Sequence, residues 1–241
     1  MINNLRFELS FKNIEQLEYK LNFCKSNQIN NINIPCKGII KKKFFNLTFE
    51  YIERNYKEFN TTYHYSLYHQ YSKNNTNSYN ELINFIKRSK KNKKNEILLV
   101  SGSRKKKNFD VIDVLNELKN KKLLMYKLGV SYNPYLDKYF NISSERLRYE
   151  EKLSSGLIKS LWLQFGTDIE LLKNEVNYLK NHNKYKKVKL FASTLIPSNQ
   201  FISRFKFRPW KGVYISDKYL SSLEDFSCFT KNLIDFYIEN N

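Results

Sequence analysis

The chain has 241 residues with 42 Lys+Arg against 23 Asp+Glu, a formal charge of +19, and 41% hydrophobic positions. That is a globular composition, and no apolar run approaches the roughly 20 residues of a membrane helix. Met1 to Arg6 lacks a basic stretch leading into an apolar core, so it reads as no secretory signal, and a cytoplasmic protein with no membrane partner is expected.

In chain order, short β-rich apolar segments alternate with longer ones whose apolar residues recur every three or four positions. Strands are predicted at 5–9, 32–35, 62–67, 96–101, 124–132, 161–165, 188–195 and 212–216. Helices are predicted at 13–27, 44–58, 79–90, 109–121, 144–155, 168–181, 199–206 and 217–238. Asn13, Ser78, Ser143 and Asp168 stand where a side chain can cap a helix start, and Gly156 where a left-handed C-terminal cap belongs. Eight β–α units without a Pro/Gly/Ser-rich linker predict a single α/β domain over 1–241, a (β/α)8 TIM barrel. A doubly wound open sheet is the alternative.

A barrel assembles its site at the C-terminal ends of its strands. Glu8 lies inside the first apolar strand, where a carboxylate partly withdrawn from water suits a general acid; the alternative is an outward-facing strand residue. Cys24, Cys36 and Cys228 have no CxxC spacing and fit neither a disulfide framework nor a zinc site, so no metal is expected. They suit small buried hydrophobes.

The basic surface would attract polyanions. Its Lys runs are not interleaved with aromatics in a recognition motif, so a solvated basic surface is favoured over nucleic-acid binding. Lys, Asn, Ile, Tyr and Phe are abundant while Gly and Pro are scarce, as an AT-rich coding sequence produces, and part of the charge follows from that.

Phe7-Glu8, His64-Tyr65-Ser66-Leu67, Ser101-Gly102-Ser103, Gly129-Val130-Ser131-Tyr132-Asn133-Pro134, Lys152-Leu153-Ser154-Ser155-Gly156, Gln164-Phe165 and Leu195-Ile196-Pro197 occur in one order. That order, from about residue 5 to 216, resembles methylenetetrahydrofolate reductase, a (β/α)8 flavoenzyme of one-carbon metabolism, although each motif is short. The resemblance implies that Glu8 is the acid that opens the imidazolidine ring of methylenetetrahydrofolate, and that Gln164 and Phe165 touch the folate. It implies that His64, Tyr132 and Lys152 lie around FAD, with Ser103 at the position of the family's flavin-side Asp. NAD(P)H would be the hydride donor. For His64 a satisfied core histidine, for Tyr132 packing, and for Lys152 a surface charge are the alternatives.

The chain departs from the family pattern in Leu9-Ser10-Phe11-Lys12, where Phe-Phe-Pro-Pro is usual, and in Ser101-Gly102-Ser103, where Arg-Gly-Asp is usual. Glu151 replaces an Arg. With these departures, direct hydride transfer from a nicotinamide to folate in a flavin-free relative is a variant of the FAD expectation. No Gly-x-Gly-x-x-Gly fingerprint marks a Rossmann domain. A non-catalytic folate- or flavin-binding relative and a basic polyanion-binding protein are the other readings, and the oligomeric state is left open. Lys41–Lys43 and Arg104–Lys107 would follow strands two and four on the active face and attract anionic groups of folate or cofactor, or simply be solvated. Phe207-Arg208-Pro209-Trp210-Lys211-Gly212 is a lid or a hydrophobic corner.

Overall fold

A computed structural model describes residues 5–36, 42–102, 109–122, 128–136, 141–182 and 188–240. Among these described residues, seven parallel strands alternate with helices in an α/β fold. By packing it divides into two compact units, Met1–Val130 with Ser155–Leu157, and Ser131–Ser154 with Ile158–Asn241.

The first unit holds β1 (Phe7–Glu8), α1 (Ile14–Ser26), β2 (Asn31–Ile34), α2 (Lys42–Asn55), β3 (Asn60–Ser66), α3 (Asn75–Ser89), β4 (Glu96–Val100), α4 (Val111–Asn120) and the first three residues of β5 (Leu128–Tyr132). Strands pair in chain order, all parallel, with Glu8 opposite Asn33, Asn33 opposite Thr62, and Thr62 opposite Glu96. Because successive strand side chains point to opposite faces, β3 has two characters. Tyr63 and Tyr65 pack among Phe45 and Phe49 of α2 and Phe85 of α3, with ring centroids 5.0–6.4 Å apart. Thr62, His64 and Ser66 occupy the other face. The helices bury their periodic apolar stripes, such as Leu17, Leu21 and Cys24 of α1.

β1 is only two residues long, and Arg6 fastens it. The Arg6 guanidinium donates to Asn33 Oδ1, to the carbonyls of Ile32 and Asn60, and to Thr62 Oγ1, at 2.7–2.9 Å. Burial lowers its pKa to about 10, against which the Glu96 carboxylate acts.

The second unit holds the end of β5, α5 (Ile142–Ser154), β6 (Ile158–Leu163), α6 (Ile169–Asn181), β7 (Lys189–Phe191), α7 (Asn199–Phe207), α8 (Asp217–Ser221) and α9 (Leu223–Glu239). β6 pairs with β7 in parallel. The predicted eighth strand is not formed. Within 212–216 only Tyr214 makes a β-bridge, to Gly166 just beyond β6. Thr167 N–H donates to the Tyr214 carbonyl at 3.0 Å, and the Thr167 hydroxyl accepts from Ser216 N–H at 2.9 Å. The alternation that suggested a strand reflects burial of Val213 and Ile215, not a ladder. The last helix is also broken in two, at Ser222, whose hydroxyl caps α9 by accepting from Asp225 N–H.

Asn13 and Asp168 cap α1 and α6 as expected, and Gly156 has φ +72°. α3 begins earlier, capped by Asn74, so Ser78 lies inside it. Asn141, not Ser143, bonds the free N–H at the start of α5.

Candidate active site

Glu8 ends β1 and His64 lies near the C-terminal end of β3, on the strand face away from the aromatic cluster. The Glu8 Oε2 to His64 Nδ1 distance is 3.8 Å, and the side chains are 42% and 14% exposed. This is beyond hydrogen-bond length but close enough for a charged imidazolium and a carboxylate to influence each other. Arg6 sits two residues before Glu8 and Thr62 two before His64, so the four share one face in two tiers. The lower tier is a closed set of hydrogen bonds. The upper tier is a half-exposed acid beside a mostly buried imidazole.

The adjoining loops are tightly fitted. Gly102, at φ +90°, lies so near Ser66 and Tyr68 that an added Cβ would sit 2.7 Å from atoms of both side chains. Cys36, just past β2, is buried and its Sγ accepts from Gln70 Nε2 at 3.1 Å. Burial raises its thiol pKa, so it is an inert thiol in this setting.

In the second unit the expected residues have different surroundings. Tyr132 is fully buried and its hydroxyl donates to the Glu175 carboxylate of α6. Arg146 of α5 reaches the same carboxylate, with Nε 3.2 Å from Oε2, and its guanidinium lies 4.2 Å over the Tyr178 ring. Burial first, then the bond to Glu175, pushes the Tyr132 phenol strongly upward. The same Glu175 bond raises the Arg146 pKa. Tyr132 therefore points into the α5 and α6 layer.

Lys152 is buried and donates to the Ser131 carbonyl at 2.9 Å and toward Glu145 Oε1 at 3.4 Å. Glu145 also accepts from Asn133 N–H at 3.3 Å. Lys152 and Glu145 thus hold the end of β5 to α5. Gln164 is exposed; its N–H donates to the Tyr132 carbonyl at 2.8 Å, and its Oε1 accepts from Phe165 N–H at 3.0 Å. Phe165 is buried and stacks on Phe226 of α9, centroids 6.3 Å apart.

The structure thus brings Glu8 together with His64, and Tyr132, Lys152 and Gln164 around the end of β5. Ser103, Lys41 and Arg104–Lys107 lie outside the described residues. Trp210 forms a hydrophobic corner, its ring 5.3 Å from Phe201 and 6.1 Å from Phe205. Among the described residues no group of three or more His, Cys, Asp or Glu could hold a metal ion, and no helix is long and apolar enough to cross a membrane. Surface clefts of about 480 and 660 Å³ open on α3 and between α2 and α3, away from Glu8 and His64.

Sequence reading missed Arg6, Glu145 and Glu175. Two of them left a signal: Arg6 shares the strand face of Glu8, and Glu175 interrupts the buried stripe Leu172, Val176, Leu179. No known protein-family model matches the chain, and no characterised protein compared with it matches either.

Proposed function

We propose that the chain is an oxidoreductase similar to methylenetetrahydrofolate reductase, on a barrel-type β/α framework whose eighth unit is degenerate. It transfers a hydride from NAD(P)H to 5,10-methylenetetrahydrofolate and releases 5-methyltetrahydrofolate. The observation that carries this reading is the pairing of Glu8 with His64 at the C-terminal ends of parallel strands, one carboxylate half in water and one imidazole mostly out of it. Glu8 protonates the leaving ring nitrogen, the ring opens to the exocyclic methylene iminium, and that carbon accepts the hydride. NAD(P)H leaves as NAD(P)+, and the proton from Glu8 is replaced from solvent. His64 in its protonated form stabilises the Glu8 carboxylate left after transfer.

The residues expected around FAD do not fit that group well. Tyr132 is turned to Glu175 and Lys152 to Ser131 and Glu145, so the described contacts supply it with neither a phenol nor an ammonium. The hydride accordingly passes directly from the nicotinamide to the iminium carbon. The same contacts favour a second reading, a folate-binding relative without turnover. NAD(P)H oxidation measured with and without methylenetetrahydrofolate tests both. Folate-dependent oxidation by colourless protein supports direct transfer; folate-protected melting with no oxidation supports the binding protein. If neither response appears, folate is not the ligand.

A further inference from the structure

We propose that the end of α7 and the turn after it dock the protein onto an anionic membrane surface, independently of the reaction above. From Val176 to Ser216 the chain carries nine Lys and Arg and no Asp or Glu, where its average composition would place about four acids. Its described part contains Arg204-Phe205-Lys206-Phe207-Arg208-Pro209-Trp210-Lys211. All of these except Phe205 are exposed. Phe207 is 91% and Trp210 50% exposed. Among the described residues, none of Arg204, Lys206, Arg208 and Lys211 makes an ion pair through its side chain.

The segment is held in shape from behind. Arg208 N–H donates to the Arg204 carbonyl at 2.9 Å and Val213 N–H to the Trp210 carbonyl at 3.1 Å. Trp210 meets Phe201 and Phe205 edge to face, at 73° and 65°. The indole thus has one side against the protein and the other in water, the setting in which Trp is enriched at membrane interfaces. Phe207 adds an apolar side chain, and the flanking cations match the negative potential of anionic headgroups.

The occupant is a lipid surface and not a nucleic acid. Base stacking calls for rings set along a basic groove that tracks a strand, whereas here the exposed apolar side chains and the cations share one short exposed turn.

The test is co-sedimentation of the whole chain with phosphatidylcholine vesicles, with and without phosphatidylserine. Binding is expected to the phosphatidylserine vesicles, falling with added salt. K206Q/R208Q should lower affinity about 25-fold, roughly fivefold per cation, and F207S at least about tenfold through lost apolar burial. Because these side chains are exposed, neither variant should move the melting temperature. K91Q/K93Q, removing the same charge from another exposed loop, should leave binding nearly unchanged. Absence of vesicle binding, or equal loss in the K91Q/K93Q control, overturns the proposal. So does a single-stranded RNA that binds tightly and loses affinity in K206Q/R208Q while vesicles do not bind.

Discussion

Two groups of titratable side chains occupy comparable places at strand ends and are treated in opposite ways. In the first unit, Glu8 and His64 stand 3.8 Å apart, the carboxylate half in water and the imidazole mostly withdrawn from it. In the second, Tyr132, Glu175 and Arg146, and beside them Lys152 and Glu145, are tied to one another and to backbone groups. A buried charge or phenol persists only when hydrogen-bonded and paired, and a group so paired is not available to a ligand. The proposed chemistry rests on the pair with the exposed carboxylate, and the buried network serves the framework.

The strongest test of that contrast is Glu8→Gln. If Glu8 donates the ring-opening proton, folate reduction should fall on the order of 100- to 10,000-fold while the melting temperature barely changes, since loss of a positioned acid costs that much in rate. A steady-state assay with thermal melts alongside decides it. Retained turnover would move the acid elsewhere; a large drop in melting temperature would assign Glu8 to the framework. Glu175→Ala should do the reverse. It leaves the Tyr132 hydroxyl buried without its acceptor, while Arg146, about a third exposed, can turn to water. A loss of about 3 kcal/mol, the lower end for breaking a buried pair, is expected in urea unfolding.

A smaller effect is expected at Gly166, where the second unit's backbone passes against the Tyr135 ring. A Cβ there would lie 2.5–2.6 Å from ring carbons, and Tyr135 is itself buried. Gly166→Ala must push the ring aside, costing about 1–3 kcal/mol as overpacking does, and it should loosen the bridge to Tyr214. Slower amide exchange protection loss at Thr167 in the variant than in the parent would contradict this.

Much of the architecture was legible in the chain. Helices α1, α6 and α7 lie within a residue or two of their sequence-based limits because apolar spacing and capping side chains act locally. The eighth strand misled because alternation reports which side chains are buried, and Val213 and Ile215 are buried without a partner strand. The pairing of Glu8 with His64 follows from periodicity only after the strand register is known. Tyr132 shows the remaining limit: a residue near a strand end faces one side or the other according to a one-residue phase, and here the phase turns it toward α5 and α6. The partner that explains it, Glu175, is 43 residues away.

Tyr132→Phe gives the smallest and most discriminating change. It removes one hydroxyl while the ring remains against Tyr149, 5.7 Å away. Glu175 keeps Arg146, so the loss at neutral pH should be about 1 kcal/mol, the usual net worth of a hydrogen bond. The pH dependence carries more information. A phenol whose pKa is raised in the folded state adds stability that is present in full below the ordinary value of 10. That stability is lost as pH rises above 10 toward the folded value, because the unfolded chain releases its proton first. Tyr79, pushed up to about 12 by burial and then by Asp113, and the more deeply buried Tyr63 and Tyr65 act in the same direction. Thermal melts should therefore show stability falling above pH 10. The fall should be shallower in Tyr132→Phe, whose remaining network lacks one such phenol. An unchanged slope would mean that the Tyr132 hydroxyl meets water in solution, returning it to the set of groups that a ligand can reach.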